Sequence, residues 1–265
     1  MVQAVPRTLV QIVERKRKGL ASLAPSRAAL ESNARRSRER HAGNGRDARA
    51  AIKPGRRAII AEIKRASPSK GLLTQAFNPA SIARVYEAGG ASAISVLTET
   101  DFFQGSLADL EAARAAVSLP VLRKDFTIDE LHVIEAAAHN ADAILLIAAI
   151  LDVRELRRFR ELAAQYQMAA LVEVHNEAEL EAALESGADI VGVNNRDLNT
   201  FEVSLDTSIR LAPRIPDNVV KVSESGIHSR ADIARLQAVG FNAFLVGEHL
   251  MKSADPAAAL RALLS

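Results

Sequence analysis

The sequence predicts an α/β fold in which eight parallel strands alternate with helices and close into a (β/α)8 TIM barrel, and three observations predict it. One short pattern recurs: a helical stretch ends in Gly or a polar residue, a small or polar residue follows, and an apolar strand begins. It appears as Glu87-Ala-Gly-Gly-Ala-Ser-Ala-Ile-Ser-Val-Leu97, Asn140-Ala-Asp-Ala-Ile-Leu-Leu-Ile147, Ser186-Gly-Ala-Asp-Ile-Val-Gly-Val193 and Val239-Gly-Phe-Asn-Ala-Phe-Leu-Val246. Gly after a helix accepts the left-handed backbone that a helix end requires. The runs that follow are almost continuously apolar, as in strands buried on both faces. The length of 265 residues suits one barrel of ordinary size.

In chain order, strands are predicted near 58–63, 93–97, 120–124, 143–147, 169–174, 190–194, 219–223 and 243–246. The clearest amphipathic stretches between them are Pro79 to Ala88, Glu130 to His139, Asp152 to Gln167, Glu177 to Glu185 and Arg230 to Val239. Strands alternating with helices at this spacing are parallel βαβ units. A doubly wound open sheet is the rival, but no Gly-x-Gly-x-x-Gly follows the first strand. The barrel spans residues 58–265, and residues 1–57 form an N-terminal helical extension. In the extension, Thr8 to Lys18 is read as a short amphipathic helix, with Leu9, Ile12 and Val13 on one side. Ser32 to Ala50 is polar and Arg-rich, contains Gly43-Asn44-Gly45, and is expected to be partly mobile.

Apolar residues make up 48% of the chain, which is ample for a core. With no cysteine, the chain has no disulfide, thiolate zinc site or cysteine nucleophile, and this agrees with the reducing cytoplasm expected here. Met1 to Val10 lacks the apolar segment of a secretory signal, so none is expected. The longest apolar run, Ala141 to Leu151, contains Asp142 and is too short to span a bilayer. The six histidines (41, 132, 139, 175, 228 and 249) show no His-x-His or His-x-x-x-His pairing, so no metal is expected. His132 and His139 are placed on the outer face of their helix.

Net charge is divided unevenly. Residues 1–57 carry 15 Lys/Arg against 4 Asp/Glu, a net of +11, and residues 58–265 carry 19 against 28, a net of −9. Such an arm can contact nucleic acid non-specifically. No aromatic interleaves its arginines, however, and an arm lying against its own acidic barrel is the stronger reading, so nucleic acid is not the expected partner.

Barrel sites lie at the C-terminal ends of the strands. The first strand ends Glu62-Ile-Lys64, and alternation puts the two charges on one face, pointing into the barrel mouth if Ile63 faces the helices. A structural ion pair is the plain alternative. The third ends Leu122-Arg123-Lys124-Asp125-Phe126, with Lys124 beside Leu122 and Phe126. Burial among apolar groups is expected to lower a lysine's pKa, whereas a surface lysine snorkels. Glu173 lies in an otherwise apolar fifth strand, where a carboxylate is costly unless partnered, and His175 is read as a bystander on the rim. Asn194-Asn-Arg196 ends the sixth strand, either orienting an anion or forming a turn. The last two strand ends, Ser223-Glu224-Ser225-Gly226 and Val246-Gly247-Glu248, pair Gly with free N–H groups and suit a phosphate.

Together these segments resemble the indole-3-glycerol-phosphate synthase family of tryptophan biosynthesis. The matching pieces are Glu62-Ile-Lys-Arg-Ala-Ser-Pro-Ser-Lys-Gly71, Ser95-Val-Leu-Thr98 with Phe102-Phe-Gln-Gly-Ser106, Leu122-Arg-Lys-Asp-Phe126, Leu171-Val-Glu-Val174, Asn194-Asn-Arg-Asp-Leu198 and Val222-Ser-Glu-Ser-Gly-Ile227. The resemblance implies a cofactor-independent carboxy-lyase that converts 1-(2-carboxyphenylamino)-1-deoxyribulose 5-phosphate to indole-3-glycerol phosphate, CO₂ and water. It implies Lys124 as the principal general acid, Glu173 for later proton transfers, Lys64 near the substrate carboxylate or phosphate, and Glu62 and Asn194 as orienting groups. Phe103, Phe126, Leu145, Leu198 and Val246 resemble the ring pocket. Ser67, Arg196, Glu224 and Ser225 resemble polar substrate contacts, and Gly226, Gly247 and Glu248 the phosphate cradle. The phosphorylated small molecule is the expected partner, and a monomer is expected rather than an obligate oligomer. The chain departs from the family at His249, where a small residue is common, and in the Arg-rich Ser32 to Ala50, where an aromatic is usual. The competing reading is another phosphate-binding barrel, such as phosphoribosylanthranilate isomerase, which would not explain Glu62, Lys64, Lys124 and Glu173 together.

Overall fold

Eight apolar runs pair side by side as β1 (Ala58–Ile63), β2 (Ala93–Leu97), β3 (Val121–Lys124), β4 (Ala143–Ile147), β5 (Ala169–Val174), β6 (Ile190–Asn194), β7 (Val220–Glu224) and β8 (Ala243–Val246). Each pairs in parallel with the next, and β8 pairs with β1, which closes the barrel. This computed structural model describes residues 7–41, 46–53, 57–68, 70–74 and 76–265, so the Gly43-Asn44-Gly45 reading lies outside the described residues. Two strands, β3 and β7, differ from expectation by one residue at their bounds. Pro120 has no N–H to give the ladder, so β3 starts at Val121, although the Pro120 carbonyl still accepts the Ile94 N–H at 2.9 Å. β7 likewise starts one residue late and runs on to Glu224.

The helices begin where short polar side chains can cap them. Asn78, Ser106, Asp129, Asp152, Asn176, Ser229 and Asp255 each accept a first-turn N–H of the helix that follows. Helices Leu107–Ala116, Asp206–Leu211 and Pro256–Leu264 are among those that lie beyond the clearest amphipathic stretches. A small antiparallel pair, Ala66–Ser67 with Gly71–Leu72, was also not anticipated; it folds the chain back after β1.

Alternation along each strand separates two cores. Ile59, Ala61, Ile63, Ile94, Val96, Val172 and Val174 face the helices. Ile60, Leu122, Leu145, Leu171, Val222 and Leu245 fill the barrel, closed at its N-terminal end by Ala48 and Ile52. The extension forms helix α1 (Arg7–Leu23) and helix α2 (Arg27–His41). Helix α2 covers the first part of the Arg-rich stretch. It packs on helix Glu130–Ala138 through the buried Ala34 and Ser37, and the Ser37 hydroxyl and Arg38 guanidinium bond Asn140 and the Ala141 carbonyl beyond that helix.

One carboxylate ties the N-terminal end of the barrel together. Asp142 Oδ2 accepts the Val121 N–H at 2.8 Å and lies 3.2 Å from Arg114 Nε, while its backbone bonds β3 and β5. Removing a buried partner strands the other charge. Asp142→Ala is therefore expected to cost on the order of 3–5 kcal/mol at neutral pH, read by urea unfolding. A loss below about 1 kcal/mol would show that Arg114 finds water instead.

Candidate active site

The inward positions of five strands carry polar groups only at their C-terminal ends. Ile63 faces the helices, so Glu62 and Lys64 do point into the mouth, and Lys64 Nζ lies 2.6 Å from Glu62 Oε1. Lys124 Nζ lies 3.0 Å from Glu173 Oε2 and 3.5 Å from Glu224 Oε2. Asn194 Nδ2 donates to Glu173 Oε1 at 3.3 Å and accepts the Arg196 N–H on Oδ1 at 3.1 Å. Two glycines make the space. A Cβ on Gly192 would stand 2.1 Å from Glu224 Oε1, and one on Gly247 would stand 2.3 Å from Glu62 Oε1. Either side chain would expel a carboxylate from the site.

Lys124 is held from behind. Its neighbours Arg123 and Asp125 point the other way, toward the helices. Arg123 Nη2 reaches Asp125 Oδ2 at 3.0 Å and Glu135 Oε2 at 2.7 Å, and its Nη1 donates to the His132 carbonyl at 3.1 Å. Thr98 Oγ1 donates to Asp125 Oδ2 at 2.7 Å. Burial acts to raise the Asp125 pKa, but Arg123 and Lys16 outweigh it and hold the carboxyl well below the usual range.

The charges inside the mouth correct one expectation. Burial does act to lower the Lys124 pKa, but the carboxylates of Glu173, Glu224 and Glu62 outweigh it, and the ammonium is held above its ordinary value. Their strands contribute charges that local sequence around Lys124 does not reveal. Glu173 is also buried, yet Lys124 and His175 keep it ionised well below the usual carboxylate range. Glu224 bears the cost: burial, together with Glu173 and Glu62, pushes it up to about 8 against the pull of Lys124. Its Oε1 is buried without a hydrogen-bond partner. Glu224 is thus the carboxyl that keeps a proton near neutral pH.

These groups form the floor of a cavity of about 420 Å³, and every residue expected to act in catalysis or to contact substrate or phosphate borders it. Phe103 and Phe126 lie on one wall, ring centroids 6.2 Å apart and tilted by 38°, with Leu145, Leu198 and Val246 completing the apolar lining. Ser67, Arg196, Ser225, Gly226, Gly247 and Glu248 stand at the rim. Ser225 and Gly226 both adopt left-handed backbone, at φ 67 and 77, which turns the loop after β7 toward the cavity. Glu248 is held ionised by Lys252 at 2.7 Å and lies 3.7 Å from Arg196 Nη2.

Three contributions were missed. His175 is not a bystander. Its Nε2 lies 3.4 Å from Glu173 Oε1 and its Nδ1 2.9 Å from Glu179 Oε2. Burial acts to lower its pKa, but these carboxylates raise it to about 10, so it is cationic. His132 is buried rather than outward: its Nδ1 accepts the Ile128 N–H at 3.3 Å, and burial lowers its pKa to about 4. Thr8, Leu9 and Ile12 of helix α1 border the cavity, a role that the helical periodicity of α1 only half discloses. His249 meets His228 edge-on, ring centroids 5.9 Å apart, beside Gly247 and Glu248 at the cavity rim.

A profile of the family described as Indole-3-glycerol phosphate synthase matches residues 9–263. The chain belongs to the indole-3-glycerol phosphate synthase family. The indole-3-glycerol phosphate synthase of Chromobacterium violaceum is 52% identical over 225 residues, covering 83% of this chain and 85% of that protein. That of Azoarcus sp. is 54% identical over 218 residues, covering 81% and 82%. Among solved structures, a thiamine phosphate pyrophosphorylase from Pyrococcus furiosus matches with a TM-score of 0.59 at 17% identity, covering 81% of this chain and 95% of that one. KGPDC from Streptococcus mutans matches with a TM-score of 0.58 at 12% identity, covering 77% and 94%. Likenesses this remote show the barrel alone. As a member of the indole-3-glycerol phosphate synthase family, the chain is a carboxy-lyase of tryptophan biosynthesis.

Glu224 gives the site a pH signature. A carboxyl whose pKa is raised by folding binds more protons folded than unfolded between its ordinary value and about 8, so stability falls as pH rises through that window. Glu224→Gln removes the penalty. Its stability relative to wild type is expected to be greater at pH 9 than at pH 5, by up to a few kcal/mol, in thermal or urea unfolding. An equal difference at both pH values would mean that Glu224 is ionised throughout.

Proposed function

We propose that this chain closes the indole ring of 1-(2-carboxyphenylamino)-1-deoxyribulose 5-phosphate with Lys124 as the proton donor. The observation that carries the reading is the Lys124 ammonium, held between Glu173 and Glu224 on the floor of a cavity walled by aromatic and aliphatic side chains. The carboxylate-bearing ring carbon attacks the sugar carbonyl carbon. Lys124 Nζ–H gives its proton to the carbonyl oxygen, where negative charge develops. An ammonium kept fully charged suits that electrostatic task. CO₂ then leaves, and its bonding electrons restore the aromatic ring. An acid protonates the departing hydroxyl while a base takes a proton from the adjoining methylene, and the pyrrole double bond forms. Two protons are delivered, one is recovered, and one comes from solvent.

Glu173 is assigned the methylene proton, because it lies 3.0 Å from Lys124 and can return that proton to the acid. Lys64, oriented by Glu62, faces the substrate carboxylate or phosphate, and Asn194 fixes Glu173. Phe103, Phe126, Leu145, Leu198 and Val246 cradle the ring. Ser67, Arg196, Glu224 and Ser225 contact the polar parts of the substrate. Amides of Gly226, Gly247 and Glu248 take the phosphate, the Glu248 carboxylate being drawn aside by Lys252. The assignment extends to a cytoplasmic monomer. No described helix is long and apolar enough to cross a membrane.

Purified protein mixed with the proposed substrate is expected to develop indole fluorescence, and Lys124→Ala to lower kcat by about 100-fold or more. Signal that persists in the variant would move the acid role to Lys64. No signal from folded wild-type protein would end the reading.

A further inference from the structure

We infer that Lys16, on helix α1, is a positioning residue for Lys124: it anchors the extension across the site and fixes the strand end from which the acid projects. The inference rests on the assignment of Lys124 as the proton donor.

Lys16 Nζ lies 2.5 Å from Asp125 Oδ1, and the two side chains are only 19% and 4% exposed. Asp125 follows Lys124 and precedes Phe126 of the ring wall. Its carboxylate has four strong neighbours: Oδ2 meets Thr98 at 2.7 Å and Arg123 at 3.0 Å, and Oδ1 meets the Phe126 N–H at 2.8 Å and Lys16. An ionised carboxylate has about four acceptor positions. Lys16 therefore completes the set, and it is the one member that the barrel does not supply. The same face of α1 carries Thr8, Ile12 and Lys16 at successive four-residue intervals, and Thr8 and Ile12 both border the cavity. A single helix face thus walls the site and bonds the residue beside the acid.

The neighbouring contact shows what a mere surface tie looks like. Arg15 pairs with Asp101 at 3.2 Å, with side chains 61% and 43% exposed. Exposed pairs of that kind contribute little. Lys16 differs in being aimed at a buried carboxylate one residue from Lys124. Without it, Oδ1 keeps only the Phe126 amide, and the 124–126 turn loses its tie to the cover above it. Small displacements of a reacting group cost rate rather than affinity.

The test uses the full chain with the ring-closure assay. Lys16→Met is expected to keep the wild-type circular dichroism, to lower kcat by on the order of 10- to 100-fold, and to change KM by less than about threefold. Lys16→Arg, which keeps a cation, is expected to restore most of kcat, and Arg15→Ala to match wild type. Should Lys16→Met not fold, Lys16→Gln removes the charge while keeping a donor and is read the same way. Wild-type kcat in Lys16→Met, a change confined to KM or to thermal stability, failure of Lys16→Arg to rescue, or an equal loss in Arg15→Ala would each overturn the inference. Lys124→Ala is assayed alongside: if it keeps the wild-type rate, the acid assignment has failed, a result distinct from any of these.

Discussion

The site depends on one buried constraint, the ion network behind the end of β3. Arg123 and Asp125 face the helices and bind each other, Thr98, Glu135 and the His132 carbonyl. Because side chains alternate along a strand, fixing these two outward residues fixes Lys124 inward between them. A lysine has a long flexible stem, and left alone it would lie anywhere in a wide mouth. The network limits its root, and Glu173 and Glu224 limit its tip. Buried charges are weak evidence for stability, but here they specify a direction.

A second consequence concerns how carboxylates are shared out. Glu62, Glu173 and Glu224 converge from β1, β5 and β7 with Lys64, Lys124 and His175 among them. Like charges this close cannot all ionise freely. The cations sit beside Glu62 and Glu173, with His175 pulled toward Glu173 and Glu179. Glu224 has the longer contact to Lys124 and an unpartnered oxygen, so the shared proton resides there. Acid and base capacity thus arise from one group of similar side chains through unequal neighbours, with Gly192 leaving the space in which Glu224 stands.

Much of this was legible in the sequence, and what was not has a physical reason. Period-two alternation put Glu62 and Lys64 in the mouth, and an isolated carboxylate in an apolar run marked Glu173. The repeated helix-end-then-strand junction marked β2, β4, β6 and β8 at their observed bounds. Local patterns, however, see only one strand. The raised pKa of Lys124 comes from carboxylates 49 and 100 residues further along the chain, at Glu173 and Glu224. His175 looked like rim because its second partner, Glu179, belongs to the next helix. Gly192 read as a strand residue, and only the position of Glu224 across the barrel shows why no side chain fits.

The two ends of the barrel use charge for opposite purposes. At the N-terminal end, Asp142 binds a strand amide and Arg114, and its charge is spent on joining β3 to its neighbours. At the C-terminal end, Glu224 leaves an oxygen without a partner, an arrangement that costs on the order of 1–3 kcal/mol. A mouth that satisfied every polar atom internally would have nothing left to offer a substrate. The extension resolves the conflict in part. Its helices α1 and α2 meet acidic groups of the barrel at Asp101, Asp125 and Glu130, and Lys16 supplies the fourth partner of Asp125 from outside the barrel. The rear of the site is thereby saturated while the face toward the cavity keeps an exchangeable proton. Rigidity behind Lys124 and incompletely satisfied groups in front of it are parts of the same arrangement, because a group can act on a substrate only if its own scaffold does not compete for it.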